Sequence, residues 1–129
     1  MEAEARRLVE KGDRTRLFKI MKEQGRDRLT SGVWERALHK HDSVAQHLMD
    51  RAAKALGEGL SSAINLLDPE AVILGGGMGV RFGEDYMPKI TDAMDPYLFD
   101  RKNPPPILLA TLGDLGGAIG AALLAKTKR

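Results

Sequence analysis

From residue 45 onward, apolar side chains recur at the spacing of a helix. Ala45, Leu48, Met49, Ala52, Leu56, Leu60, Ala63, Ile64 and Leu67 follow one another at i, i+3 and i+4 intervals, over roughly six turns of an amphipathic helix. Ser43 and Gln46 stand as a capping box before it, and Pro69 stops it, because the residue before a proline avoids the helical region. Gly57 and Gly59 lie inside, each costing about 1 kcal/mol against alanine. They mark either a close approach by another backbone or ligand, or a local kink. Three shorter apolar stripes come first. Residues 3–11 read as a helix stopped at Gly12. Asp13 is placed to cap a second helix over 15–24, carrying Leu17, Phe18, Ile20 and Met21, with Gly25 ending it. Thr30 or Ser31 caps a third, with Val33, Trp34, Ala37 and Leu38 on one face.

Past Pro69 the pattern changes period. Residues 71–74 form a short apolar run without alternation, which predicts a strand covered on both faces, as in a parallel sheet. The cluster Gly75-Gly76-Gly77-Met78-Gly79 follows. Gly83 and Glu84 precede a helix over about 85–98, with Tyr86, Met87, Ile90, Met94, Tyr97 and Leu98 inward. Pro88 fits its first turn or a kink, and Pro96 a break near its end. Asn103-Pro104-Pro105-Pro106 is a stiff connector. Residues 107–111 are a second apolar strand. Asp114 is placed to cap a last helix over 115–126, where Gly113, Gly116, Gly117 and Gly120 offer a small-residue face for close packing. Strand, helix, strand predicts a parallel pair with a right-handed crossover. Two short strands do not make a stable sheet. Their edges therefore call for cover, from further strands in a longer parent chain or from copies of this one.

Composition narrows the class. With 129 residues, 43% of them hydrophobic and 29% charged, the chain suits one soluble globular domain. Acidic and basic residues are interleaved to a net charge of +2, except in the tail Lys126-Thr127-Lys128-Arg129. Neither nucleic acid nor an anionic membrane is an expected partner. The absence of cysteine excludes disulfides, thiolate zinc sites and cysteine nucleophiles, and fits a cytoplasmic location. The charged start, Met1-Glu2-Ala3-Glu4-Ala5-Arg6-Arg7, is not a signal peptide. The apolar run at 118–125, broken by Gly120, is far short of the ~20 residues a bilayer needs.

Gly75 to Gly79 is the sharpest candidate site. Glycines permit positive φ and close ligand approach, and free backbone N–H groups in such a turn suit phosphate or ribose hydroxyls. The plain alternative is an ordinary strand-to-helix turn. The spacing is not G-x-G-x-x-G, since the sixth position is Val80 or Phe82, and no G-K-[ST] follows. A second glycine turn, residues 111–122, reads first as tight helix packing. His39, His41 and His47 share no i, i+4 spacing and read as surface residues. No carboxylate pair stands out as acid and base, and no serine occupies a nucleophile elbow.

Two strings resemble the ROK family of sugar kinases and sugar-responsive repressors. One is Leu60-Ser61-Ser62-Ala63-Ile64-Asn65-Leu66-Leu67-Asp68-Pro69-Glu70-Ala71-Val72-Ile73-Leu74-Gly75-Gly76-Gly77. The other is Leu112-Gly113-Asp114-Leu115-Gly116-Gly117-Ala118-Ile119-Gly120-Ala121-Ala122. The resemblance runs from about residue 3 to 125. It implies an α/β fold, mostly helical here with a short parallel β pair, as part of the actin-like ATPase (ribonuclease H-like) fold. It implies ATP, with magnesium in the parent protein, and a small sugar as substrates. It places Gly75, Gly76 and Gly77 beside the adenine and ribose, with Met78 and Gly79 continuing the turn and Gly113 to Gly117 near its rim.

The family's D-x-G-x-T phosphate loop, second glycine loop, catalytic aspartate and cysteine-rich zinc motif are absent, so no zinc is expected. The residues flanking Glu2 do not match those around the family's sugar-contacting glutamate. The expectation is thus a C-terminal lobe segment spanning residues 1–129. Residues 1–41 would be its helical substrate-lobe part, and 42–129 a helix–strand–helix–strand–helix unit on the adenosine side. Such a segment of a glucokinase-like parent contributes to the nucleotide site without catalysing by itself, since phosphoryl transfer needs phosphate clamps, metal and an aligned nucleophile. Two alternatives stand beside it: the same lobe of a ROK repressor, and a self-associating module whose exposed sheet edge predicts homo-oligomers.

Overall fold

In a computed structural model of the chain, which describes residues 1–127, helix α4 over Ser43–Leu67 is the longest element. The short helices α1 (Glu2–Glu10), α2 (Leu17–Glu23) and α3 (Ser31–His39) precede it. After it come β1 (Val72–Leu74), α5 (Gly76–Met94), β2 (Ile107–Leu109) and α6 (Gly116–Thr127), with 3₁₀ turns over Asp95–Tyr97 and Gly113–Leu115. Helices α1, α3 and α5 all pack on α4. One apolar cluster joins Ala5, Leu17, Val33, Trp34, Leu48 and Phe82, and a smaller one holds Ile64, Met94 and Leu98 together.

The cap of α4 is Asp42, not the Ser43–Gln46 box. The buried Asp42 carboxylate accepts the Ala45 N–H at 2.9 Å, the Arg16 N–H at 2.6 Å and the Thr15 hydroxyl at 3.0 Å. One side chain thereby caps α4 and anchors the start of α2. Asp13 does not cap α2; the Thr15 hydroxyl takes the Leu17 N–H at 3.2 Å instead. Gln46 donates to Asp50 at 3.0 Å and to the Tyr86 hydroxyl at 3.1 Å. Thr30 is the first flanking residue of α3, without a side-chain cap bond.

The buried line of α4 runs through Val44, Ala45, Leu48, Met49, Ala53, Gly57, Ser61 and Ile64. Leu56 and Leu67 lie on the exposed side, contrary to the apolar stripe. The reason is the crossing of α5. A Cβ on Gly57 would overlap the Ile90 carbonyl oxygen and lie 2.8 Å from Ala93 Cβ and 3.1 Å from Met94 N. Backbone meets backbone there, so Gly57 is the close approach. Gly59 faces open space. The helix ends where expected, with Asp68 left-handed at φ 45° before Pro69. Just inside that end, the Asn65 amide donates to the Tyr97 carbonyl at 2.7 Å and accepts the Phe99 N–H at 2.9 Å.

The strands pair in parallel, Val72 with Ile107, Ile73 with Leu108 and Leu74 with Leu109. They are not covered on both faces. Ile73 is 67% exposed and its partner Leu108 49%, while Leu74 and Ile107 pack on the core. Helix α5 begins at Gly76, well before the 85–98 span that its residue propensities predict. Two of its glycines lie against the sheet: a Cβ on Gly83 would strike the Leu109 methyls, and one on Gly79 would approach Leu74. Pro88 sits inside α5, and Pro96 falls in the 3₁₀ turn that ends it. Tyr97 is exposed rather than inward. Nor does α6 use its small-residue face for close packing. Gly117 and Gly120 face open space, and Leu123 and Leu124 are exposed. The capping expected of the Asp114 side chain lies outside the described residues, as do Lys128 and Arg129 of the basic tail. No described helix is long and apolar enough to cross a membrane.

Candidate functional site

The carboxyl ends of β1 and β2 lie side by side, because the Ala110 N–H donates to the Leu74 carbonyl at 2.8 Å. In parallel sheets this end is where ligands bind. Each strand leaves it through a glycine turn: Gly75 to Gly79 after β1, and the Gly113–Leu115 turn shortly after β2. The second turn packs on α5, which the first one starts. Sequence spacing had put both turns after strands. The parallel pairing opens both at the same end of the sheet, in keeping with the rim position that the family resemblance implies for the second.

The five predicted residues are the first turn of α5 and the residue before it. Gly75 is extended, at φ −129°, and Gly76 is left-handed, at φ +76°. That pair of conformations turns the chain from strand to helix and is inexpensive only without a side chain at Gly76. Gly75, Gly76 and Gly77 are exposed, and Met78 and Gly79 are half-buried. The first N–H groups of a helix have no partner inside it, so this turn presents backbone donors at an open surface. A Cβ on Gly75 would touch that of Ala110 at 3.4 Å, and one on Gly79 would come 3.4 Å from the Leu74 carbonyl carbon. Bulk at either position would press on the strand ends.

The cationic side chains farther along α5 are paired. Arg81 is one turn into α5, and its guanidinium is held by the Glu35 carboxylate at 2.6 Å. Lys89 lies 4.9 Å from the Tyr86 ring centroid and is paired with Asp50, whose hydrogen bond raises the Lys89 pKa above the usual lysine value against the effect of burial. Burial pushes the Tyr86 hydroxyl up, against the Gln46 hydrogen bond that lowers it. Burial also opposes charge on Asp50, but Lys89 and Gln46 outweigh it and the net shift is down. A polar cavity of about 460 Å³ lies on this flank between Glu35, His39, Arg81, Asp85 and Lys89. An apolar cavity of about 360 Å³ runs on the other flank, along Met49, Leu56, Ile73, Met78 and Phe82. His39, His41 and His47 are exposed, and among the described residues no three His, Asp or Glu side chains stand together as metal ligands.

One neighbour of the turn has no signal in the sequence. A Cβ on Gly77 would lie 3.6 Å from the Ser31 Oγ, at the start of α3. The sequence marks Ser31 as a cap candidate, but nothing local says which glycine it faces.

The class defined so far is an α/β protein with a parallel strand pair and two glycine turns at its carboxyl end. The ROK family model matches residues 16–128, and the chain belongs to that family. Among curated proteins it is similar to the N-acetylgalactosamine kinase AgaK of Shewanella sp. (strain ANA-3). The two are 33% identical over 92 residues, which is 71% of this chain and 29% of the relative. The chain thus matches less than a third of that kinase's length.

Proposed function

We propose that this chain forms the adenosine side of the nucleotide site in a ROK-type, ATP-dependent sugar kinase. The observation that carries the reading is the position of Gly75 to Gly79: bare, exposed backbone at the carboxyl end of a parallel pair, opening a helix. Family membership and likeness to a kinase that the relative's name ties to an amino sugar support it. The order helix, strand, helix, strand, helix from α4 to α6 agrees with the actin-like ATPase fold that the resemblance implies. The residues present fit the nucleoside end of ATP, since ribose hydroxyls and ring edges can approach exposed glycine backbone closely. In this reading the chain has no part at the magnesium–phosphate end. In the whole kinase ATP would supply a phosphoryl group to a sugar hydroxyl, and this chain's part is to bind and orient the nucleoside.

Titrating the ¹⁵N-labelled chain with adenosine tests this. Amide shifts concentrated at Gly75 to Gly79 are expected. Saturating adenosine that leaves those amides in place would overturn the reading. A coupled assay is expected to find no sugar-dependent ATP turnover by the 129 residues alone.

The open sheet face favours a second reading, self-association. Ile73 and Leu108 stand opposite each other and exposed, and among the described residues β1 and β2 each have one unpaired edge. Sedimentation should then give a mass that rises with concentration; a monomer at all concentrations refutes it.

A further inference from the structure

The Ser31 hydroxyl stands against the glycine turn from a different helix. Its Oγ lies 3.6 Å from where a Cβ of Gly77 would be, so the serine and the glycine backbone form one lip. Among the described residues neither Ser31 nor the neighbouring Thr30 hydroxyl takes part in a hydrogen bond, and Thr30 does not cap α3. The cations of α5 beyond the turn are paired. The nearest cation along α5, Arg81, is tied to Glu35, and Lys89 is tied to Asp50. A phosphate, which only accepts hydrogen bonds and carries charge, gains little at such a place. A sugar hydroxyl both donates and accepts, and so does serine, while the backbone N–H groups beside it only donate.

We infer that Ser31 is a ligand-binding residue of the nucleoside site, exchanging a hydrogen bond with a ribose hydroxyl held against Gly77. This rests on the reading of Gly75 to Gly79 as the adenosine side and adds a side chain to it. It carries a specificity consequence: ribose is distinguished from deoxyribose through one hydroxyl of α3.

The test is a calorimetric or NMR titration of the chain with adenosine, 2′-deoxyadenosine and 3′-deoxyadenosine, repeated on Ser31→Ala and Ser31→Thr. For the wild-type chain one of the two deoxynucleosides should bind about three- to tenfold more weakly than adenosine, the worth of one hydrogen bond. Ser31→Ala should weaken adenosine by the same factor and leave that deoxynucleoside unchanged. Ser31→Thr, which keeps the hydroxyl, should retain the preference. Equal affinity of wild type for all three nucleosides overturns the inference, as does a Ser31→Ala loss shared by all three. Either result leaves the adenosine reading intact. No binding of adenosine by the wild-type chain removes the adenosine reading and this inference together.

Discussion

Replacing Gly57 with alanine should be among the most damaging single changes available to this chain, although it adds one methyl group to a helix. In an unobstructed helix the change would gain about 1 kcal/mol. Here the new Cβ meets the Ile90 carbonyl oxygen, with Ala93 Cβ at 2.8 Å and Met94 N at 3.1 Å. Two of those three atoms are backbone, so no rotamer change relieves the overlap. Helices α4 and α5 must move apart along their shared length. Overpacking of a well-filled interface costs typically 1–3 kcal/mol, and a backbone obstacle belongs at the upper end. After the propensity gain, a net loss of about 2 kcal/mol remains. Gly59 supplies the control two residues along, since a Cβ there meets nothing within 4 Å. Gly59→Ala should stabilise by about 0.5–1 kcal/mol. Gly83→Ala should fall between the two, because its obstacle is the Leu109 side chain, which can rotate. Urea unfolding followed by circular dichroism reads the order directly. At a slope of about 1.5 kcal/mol per molar, Gly57→Ala should lower the midpoint by more than about 1 M. If Gly57→Ala matched or exceeded the wild-type midpoint, the tight α4–α5 crossing would be wrong.

Two further outcomes follow from the polar anchors. Asp42→Ala removes a helix cap and strands the Arg16 N–H, and should cost about 2–3 kcal/mol in the same urea measurement, whereas Asp42→Asn, keeping an acceptor, should cost clearly less. Hydrogen bonding to Arg7 first, and then to Arg51, holds the Glu4 carboxylate down to about 2 from 4.5, burial opposing. A depressed folded-state value means that this tie between α1 and α4 is fully present above about pH 4.5 and lost as pH falls toward 2. Protection of the α1 amides, taken relative to their intrinsic exchange rate at each pH, should therefore fall across that window, and Glu4→Gln should show the lower protection already at neutral pH. Protection in α1 that is indifferent to both changes refutes the tie.

Much of the fold was legible because the signals were local. The end of α4 at Asp68–Pro69, both strands, and the break at Pro96 depend on residues within one turn of the feature. The failures share a cause at longer range. Ser43 and Gln46 satisfy a capping pattern, yet Asp42 wins because Thr15 and Arg16 come to it from α2. The start of α5 was missed because Gly76, Gly77, Gly79 and Gly83 weigh against a helix, and only the approach of Leu109 shows why one of them is needed. The strands were expected to be sheltered on both faces because an apolar run without alternation reads that way. In this chain Ile73 and Leu108 meet solvent. For the candidate site, the glycine run could be read from sequence, and the family resemblance set the second turn near its rim, but its contact with Ser31 could not be read.

A ladder of three residues per strand has too few rungs to choose its own alignment, and a slip by one residue would turn one strand's side chains over. The choice is made outside it. Asn65 fixes where the chain sets off after Tyr97, and the Val72 N–H, bonded to the Pro106 carbonyl at 2.9 Å, fixes where it arrives. Between those points the proline-rich segment acts as a ruler. Its measured length decides which residue stands opposite which, and one inserted residue there would reverse the faces of β2 without touching either strand.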